Sequence, residues 1–584
     1  MLDQVDLVYR TIRDDPRYKG RDFFDCAMDV LNVRIDVAQA DRQRIPKTGS
    51  LVIVANHPFG GLEGILLMRI LLDQRPDVKV MANYLLGRMP EMATHSILVD
   101  PFGTRSASGK NFGPIKEAIR WLRDGRALLV FPSGEVSHLN VHEWRIEDPK
   151  WNESIAGIIR HTGASALPVF VEGRNSALFQ MLGIVHPRVR TVLLPRELIR
   201  RKGTVMRFRI GNAVPFSRLQ KIQDVGEMMD YLRLRTYLLM SRSALPKARK
   251  RGLKSLFTSR EVPVAEPLFP DMIAQDIQLL SPESCLLESS EFSVYGVYAS
   301  QIPRLLHEIG RLREVTFRAV GEGTGRAIDL DRFDQFYLHL VLWNNEKQEL
   351  VGAYRLGKSD EIVARYGKKG LYTSTLFRYS RKLLDQMGPA LEMGRSFIRP
   401  EYQKSYAPLL MLWKGIARIC VLHPQYKMLF GPVSINNEYN TISRQMLEGF
   451  LRANRFDSRL ARYVKPRHPS RRLFHREWDL SILNRTIHSA EDMSNLIAEI
   501  EKDGKGVPIL LKQYLRLGGR LIGFNVDPKF KDVLDGLIAV DLLDTDRRIL
   551  DRFLSKKSTE EFLRYHAERG QVYRGGGGES GVSI

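Results

Sequence analysis

Two stretches of this chain place proton-handling side chains where a fold could use them. The first is Asn56-His57-Pro58-Phe59-Gly60-Gly61-Leu62-Glu63-Gly64, directly after the apolar run Leu51–Ala55. A histidine at the end of a buried strand faces a cleft while a rigid scaffold holds it. Pro58 and the glycines force a turn, and that turn can bring Glu63 back towards the imidazole. A carboxylate on one ring nitrogen fixes the tautomer and stabilises the imidazolium, so the other nitrogen can take a proton from a hydroxyl. The competing reading is a histidine that merely caps the next helix.

Three further segments also sit at the ends of apolar runs. Asp100-Pro101-Phe102-Gly103-Thr104-Arg105 offers an arginine to an anion. Phe131-Pro132-Ser133-Gly134-Glu135-Val136-Ser137 and Leu167-Pro168-Val169-Phe170 follow in order. Ser133 invites a serine-hydrolase reading, but Phe131 stands where the first glycine of a G-x-S-x-G nucleophile elbow belongs.

The second stretch is richer in arginine and carboxylate. Leu312-Arg313-Glu314-Val315-Thr316-Phe317-Arg318 precedes Asp329, Asp331 and Asp334; Tyr354-Arg355-Leu356-Gly357 closes an apolar run. Leu391-Glu392-Met393-Gly394-Arg395-Ser396 leads to Arg399-Pro400-Glu401-Tyr402. For any one of these residues, a structural salt bridge among Glu392, Arg395 and Asp331 competes equally with a role in chemistry.

The elements that must position these groups alternate. Leu51–Ala55, Ala127–Phe131 and Ala166–Val171 read as strands; Gly64–Leu72, Ile115–Leu122 and Ile155–Thr162 read as helices. That alternation predicts an α/β fold. A helical segment is expected over 1–48 and an α/β domain over 49–241. A linker rich in proline, with a short helical piece, follows over 242–289, with Pro246, Pro263, Pro267 and Pro270. A second α/β domain spans 290–455, with helices over Pro303–Arg313 and Leu409–Cys420 and strands over Phe336–Leu342 and Leu350–Leu356. Residues 456–573 read as its extension, and 574–584, with four consecutive glycines, as a disordered tail.

Composition narrows the partners. A chain of 584 residues, 43% hydrophobic and 27% charged, holds more than one core. Its three cysteines are far apart, with no disulfide framework or zinc spacing, which fits a reducing cytoplasm and predicts no metal. No run approaches the roughly 20 apolar residues of a spanning helix, and the charged N-terminus lacks a secretory pattern. The net charge of +22 suits an anionic membrane surface or an acidic protein. No zinc finger, basic zipper or RNA-binding signature accompanies it, so nucleic acid is not expected as a partner.

In order and spacing, the four segments around His57, Arg105, Ser133 and Pro168 resemble the sequence blocks of the glycerolipid (lysophospholipid) acyltransferase family, over about residues 50–215. That resemblance implies acyl transfer from a carrier thioester to a hydroxyl. His57 would be the base and Glu63 its orienting partner; Asn56, Arg105 and the loop of Phe131, Pro132, Ser133, Gly134 and Glu135 would hold the acceptor. The family usually places four residues between the histidine and an aspartate; here there are five, and the acid is glutamate. Where the third block usually has a glutamate before glycine, this chain has Ser133, with Glu135 after it.

From about 290 to 450 the chain resembles ornithine-type N-acyltransferases, loosely called haemolysins, which share the acetyltransferase-like (GNAT) fold of acyl-homoserine-lactone synthases. That resemblance implies an acyl carrier protein thioester as donor and an amino-acid α-amine as acceptor. Such a site needs a base, oxyanion donors and cations for the acceptor carboxylate. Glu392 is then the candidate base and Arg355 and Arg395 the anion binders, while Arg313, Phe317 and Asp331 shape the pocket. No glycine loop of the kind that cradles the pyrophosphate of coenzyme A is visible, which favours a protein-borne donor, and an acidic carrier would be steered by the positive charge.

Paired in one chain, the two resemblances imply a bifunctional synthase of ornithine-lipid type, needing no cofactor. It would work in the cytoplasm, peripherally on the inner face of the bacterial inner membrane, on amino-acid and lyso-aminolipid substrates. Two rivals stand beside it. One is a phospholipid-type O-acyltransferase with a non-catalytic C-terminal half. The other is a membrane-binding protein without catalysis.

Overall fold

The computed structural model describes residues 2–575 apart from 85, 86, 88, 101–110, 142, 143, 186, 244–261, 471–479, 488 and 502. The chain forms two compact units. One comprises Met1–Lys247, Phe474–His488 and Asn495–Gly504; the other comprises Ala248–Leu473, Ser489–Ser494 and Lys505–Ile584.

The first unit is built on seven strands: β1 (Arg34–Val37), β2 (Leu51–Ala55), β3 (Val78–Asn83), β4 (Ser96–Val99), β5 (Ala127–Val130), β8 (Ser165–Val171) and β9 (Val205–Ile210). Their order is β1-β9-β8-β2-β5-β3-β4. Every pairing is parallel except β8 with β9. A small hairpin, β6 (His138–Asn140) with β7 (Arg145–Glu147), stands apart. Strand β2 is central and buried at all five positions, as expected where a parallel sheet is covered on both faces. The helix Leu62–Leu72 that follows buries Leu66, Leu67, Met68, Ile70 and Leu71 completely. Each such side chain contributes about 1.5–3 kcal/mol.

The N-terminal segment holds the helices Leu2–Asp14 and Phe23–Leu31, but also β1, which pairs with β9 and so belongs to the sheet. Four residues alternating between exposed and half-buried are too short a pattern to announce an edge strand. At the N-terminal ends of the strands, Arg75 is buried and donates to the carbonyls of Pro46, Gly49 and Gly125 while pairing with Asp77 at 2.6 Å. It ties together the loops that lead into β2, β3 and β5.

Late segments complete this unit. Glu499, on the helix Ala490–Ile500, is fully buried and accepts both Nε and Nη2 of buried Arg235, on the helix Val225–Leu238. The backbone N–H of Asn212 reaches Glu499 Oε1 at 3.3 Å, and Arg218 donates to the carbonyl of Thr486 at 2.9 Å.

The second unit carries an eight-stranded sheet: β10 (Cys285–Glu288), β11 (Phe292–Tyr298), β12 (Leu338–Asn344), β13 (Glu349–Lys358), β15 (Ala390–Ile398), β16 (Met428–Ile435), β18 (Arg520–Asp527) and β19 (Val533–Asp541). The order is β10-β11-β12-β13-β15-β16-β19-β18; β14 (Phe377–Tyr379) and β17 (Val464–Pro466) pair separately. All pairings are antiparallel except β15 with β16. Helices cover both faces. Leu305, Ile309 and Leu312 of Pro303–Ala319 pack with Val341 and Trp343. Helix Ala407–Leu422 lies against Leu340, where a Cβ on Gly415 would sit 2.7 Å from Val294. The stretch expected as a linker contributes the helix Pro270–Gln278 and β10 to this unit.

Candidate functional site

The first constellation closes on itself at the C-terminal end of β2, the end of a parallel sheet where ligands bind. Gly60 has φ of +92°, and its Cβ would lie 2.6 Å from Leu194, so the turn requires glycine there. The turn wraps Glu63. Its Oε1 accepts the backbone N–H of Phe59 at 2.8 Å and of Gly60 at 2.9 Å, and its Oε2 that of Gly61 at 3.1 Å. The extra loop residue and extra methylene are absorbed by this arrangement. His57 Nδ1 stands 3.0 Å from Glu63 Oε1, in a bent approach rather than a straight hydrogen bond. The opposite nitrogen, Nε2, has no protein partner among the described residues.

Burial alone would push both groups towards neutrality, but their mutual attraction outweighs it. The imidazole is raised above its ordinary value, with Glu63 and then Asp148 as the causes opposing burial. Glu63 is lowered to about 2 by His57 and by the N–H groups of Gly60 and Phe59, against its own desolvation. The pair is a fixed anion behind a histidine able to accept a proton.

Asp148 is a residue the sequence reading missed. It is buried, and its Oδ1 accepts the His57 backbone N–H at 3.1 Å and the Ser137 hydroxyl at 2.5 Å; its Oδ2 accepts Trp151 Nε1 at 3.0 Å. Burial raises it above the usual carboxylate range despite these donors. Nothing local marks Asp148, which comes 91 residues after His57. It also lines a cavity of about 570 Å³ together with His138, Glu147, Gln180, Arg190 and Arg233; His57 is not among its walls.

The other candidates divide. Phe131 lies beside His57, ring centroids 4.5 Å apart and tilted by 34°. Pro132 is buried, and its carbonyl accepts the N–H of Asn152. Ser133 donates to the carbonyl of Glu135 at 2.7 Å, Gly134 takes φ of +64°, and Glu135 is exposed, 3.9 Å from Arg190. Asn56 faces away from the cleft. Its amide exchanges two hydrogen bonds with the main chain of Val171, which lashes β2 to β8. Arg105 lies outside the described residues.

In the second unit, helix Pro303–Ala319 and β13 send buried arginines to one acidic loop. Arg313 grips Asp334 with two bonds of 2.9 and 3.1 Å; Arg355 contacts Asp331 at 2.7 Å and Asp334 at 3.1 Å. The two guanidinium groups hold Asp334 well below the usual carboxylate range, although burial opposes them. Arg395 sits at a β-bulge, where it and Ser396 oppose the single residue Tyr354, and its φ is +52°. It reaches Asp329 at 3.3 Å and Asp331 at 3.8 Å, and its guanidinium lies 4.8 Å from the Phe530 ring centroid, 5.2 Å from Tyr372 and 6.0 Å from Phe317.

Glu392 is placed elsewhere from the role foreseen. It is 1% exposed, accepts the Tyr337 hydroxyl, and takes the backbone N–H of Tyr372 at 3.0 Å and of Thr373 at 2.6 Å. It anchors the loop that carries Tyr372, and it has no ion pair with Arg395 among the described residues. Its burial raises it above the usual range. Among the described residues no group of three or more His, Cys, Asp or Glu is arranged to hold a metal.

Residues 3–245 match the family described as acyltransferase, and residues 312–414 match the acetyltransferase (GNAT) domain. A glycine N(alpha)-acyltransferase of Phocaeicola vulgatus is 30% identical over 331 residues, 54% of this chain and 96% of that protein. One of Bacteroides thetaiotaomicron is 33% identical over 302 residues, 49% of this chain and 87% of that protein. A lyso-glycine lipid O-acyltransferase of Phocaeicola vulgatus is 24% identical over 236 residues, 39% of this chain and 81% of that protein.

Proposed function

We propose, from the premise that this chain belongs to the acyltransferases and joins a glycerolipid-type acyltransferase domain to a GNAT domain, that it builds a two-chain amino-acid lipid in two successive transfers. The second unit moves a 3-hydroxyacyl group from a carrier thioester to the α-amine of an amino acid, glycine being the first candidate. The first unit then esterifies the 3-hydroxyl. One observation carries this reading. The same chain is similar to a glycine N(alpha)-acyltransferase and to a lyso-glycine lipid O-acyltransferase, and the product of an N-acylation is what an O-acylation of that kind consumes.

The geometry of the first unit suits its share of the work. As the acceptor oxygen attacks the thioester carbonyl, His57 Nε2 takes the hydroxyl proton and the imidazolium is steadied by Glu63. The tetrahedral intermediate then expels the thiolate, which takes the proton back from Nε2. The donor for both steps is acyl carrier protein, supported by the net charge of +22, which attracts an acidic protein. The same charge suits work at an anionic bilayer, where the single-chain intermediate resides.

Lipid analysis by mass spectrometry, in a bacterial host that makes no amino-acid lipid, tests the proposal. Wild type is expected to yield a two-chain lipid, and His57→Ala a single-chain N-acyl amino acid. No amino-acid lipid from wild type, or a two-chain product from His57→Ala, overturns it.

A further inference from the structure

The helix Ala177–Val185 of the first unit carries its polarity inside out. Gln180 is its one polar side chain, yet it is buried, and its Oε1 accepts the backbone N–H of Leu139 on β6 at 2.8 Å. Phe179 beside it is fully buried. The outward positions, Ala177, Met181 and Ile184, fall at i, i+4 and i+7 and so share one face. Met181 is 59% exposed and Ile184 52%. A helix on a protein surface ordinarily turns its polar side chains to water and its apolar ones to the core. Single exposed apolar residues need no explanation, but a grouped set marks a contact surface.

Neighbouring elements extend this face. Helix Pro187–Arg200 exposes Val192 and, further along the same stripe, Arg196 and Arg200. The start of the first helix meets the end of the second. Glu197 accepts the Ser176 hydroxyl at 2.5 Å and the Ser176 backbone N–H at 3.0 Å, and Arg201 donates to the carbonyl of Arg174. Exposed Arg174 and Lys202 therefore gather with Arg200 at this end of the pair. Met181 and Ile184 lie towards the other end, where Ile184 and Val141 of the β6–β7 turn line the cavity of about 570 Å³ together. Trp144, in the same turn, is 79% exposed. Residues 174–202 hold seven Lys or Arg against one acid, Glu197, and that acid is buried.

The face adjoins the turn that carries the base. Leu194 is the side chain that a Cβ on Gly60 would strike, and the Arg201 guanidinium lies 4.3 Å from the Phe59 ring centroid. Asp148, which accepts the His57 N–H, lines the same cavity as Val141 and Ile184. An apolar face bordered by cations and carrying an exposed indole has the make-up of a surface that rests in a membrane interface. Anionic headgroups answer the cations, and the acyl boundary answers the apolar side chains.

We propose that this face docks the first unit on an anionic lipid bilayer, with Met181, Ile184 and Trp144 entering the boundary between headgroups and acyl chains and Arg196, Arg200 and Lys202 meeting lipid phosphates. Its purpose rests on the two-step reading above, in which the single-chain intermediate keeps its chain in the bilayer and presents a hydroxyl to His57.

Flotation of the purified full-length chain with vesicles of phosphatidylethanolamine and about one-third phosphatidylglycerol tests it. Wild type is expected to float, and to be released as salt rises. Met181→Ser with Ile184→Ser should cut partitioning about tenfold or more, and Arg196→Gln with Arg200→Gln about tenfold or more. All four side chains are exposed, so these substitutions leave the core intact. Brominated lipid should quench wild-type fluorescence more than that of Trp144→Phe. Ester formation on a vesicle-borne single-chain acceptor should fall with partitioning in Met181→Ser with Ile184→Ser, while a short, water-soluble N-(3-hydroxybutanoyl)glycine is esterified as by wild type. If wild type does not float, if Met181→Ser with Ile184→Ser partitions within about twofold of it, or if quenching is the same in Trp144→Phe, the proposal is overturned. It is overturned too if wild type is a dimer in sedimentation velocity and Met181→Ser with Ile184→Ser a monomer, because the face then belongs to a second copy. If wild type esterifies neither acceptor, the O-acylation reading fails, and flotation still judges the surface.

Discussion

Glu63 does two jobs through one carboxylate: three N–H groups fix it, and His57, followed by the N–H groups of Gly60 and Phe59, keeps it ionised against burial. Its charge lifts the imidazole, which burial would otherwise depress. Ester formation needs neutral His57, so the acid limb of kcat/KM for O-acylation is expected above the ordinary histidine value of 6.5. In Glu63→Gln the limb should move below it, because desolvation is left as the main influence, and the rate should fall about 10²–10⁴-fold. A pH–rate profile of both proteins checks this. The stability signs differ between the partners. Glu63, depressed in the fold, stabilises above its ordinary 4.5, and that contribution is lost as pH falls towards about 2. His57, raised in the fold, stabilises at low pH and loses that effect as pH rises through its folded value. Acid titration followed by circular dichroism should therefore show Glu63→Gln losing less stability than wild type between pH 4.5 and 2.

At the scale of elements, the turn after β2 and the loops at the other end of the sheet set tolerance to change. Gly60→Ala meets both an unfavourable φ of +92° and a Cβ contact of 2.6 Å with Leu194. It is expected to destabilise by about 1–3 kcal/mol and to cut O-acylation with it, as urea melts and ester assays would read. Arg75→Ala should destabilise by about 1–3 kcal/mol by leaving three carbonyls and the half-buried Asp77 without their donor, without altering the pH limb set by His57. These same elements explain what the sequence made legible. Apolar runs such as Leu51–Ala55 announce central strands, and the His57–Glu63 pair is visible because one short turn contains both. Asp148 comes 91 residues later, so no local pattern points to it. Asn56 misled for a related reason: its spacing places it beside the base, but only the packing of β2 against β8 shows its amide consumed by Val171. For Glu392, the tyrosine and loop that enclose it were likewise invisible in the local sequence.

On the scale of the whole molecule, the first compact unit is not one continuous stretch of sequence: it takes in Phe474–His488 and Asn495–Gly504 as well as Met1–Lys247. No described helix is long and apolar enough to cross a membrane. The matched families occupy 3–245 and 312–414, which invites division of the gene between them. The pairing of Arg235 with Glu499 argues against that cut. A protein ending at residue 247 would retain a guanidinium in its interior and lack the carboxylate that neutralises it. Such a fragment is expected to be about 3–5 kcal/mol less stable than the corresponding unit of the full chain, and Arg235→Met should recover much of the loss in denaturant titrations. Anyone wishing to study one reaction alone is thus better served by silencing the other with a point substitution than by scissors, since the last turn of one half's scaffold is written near the far end of the other's text.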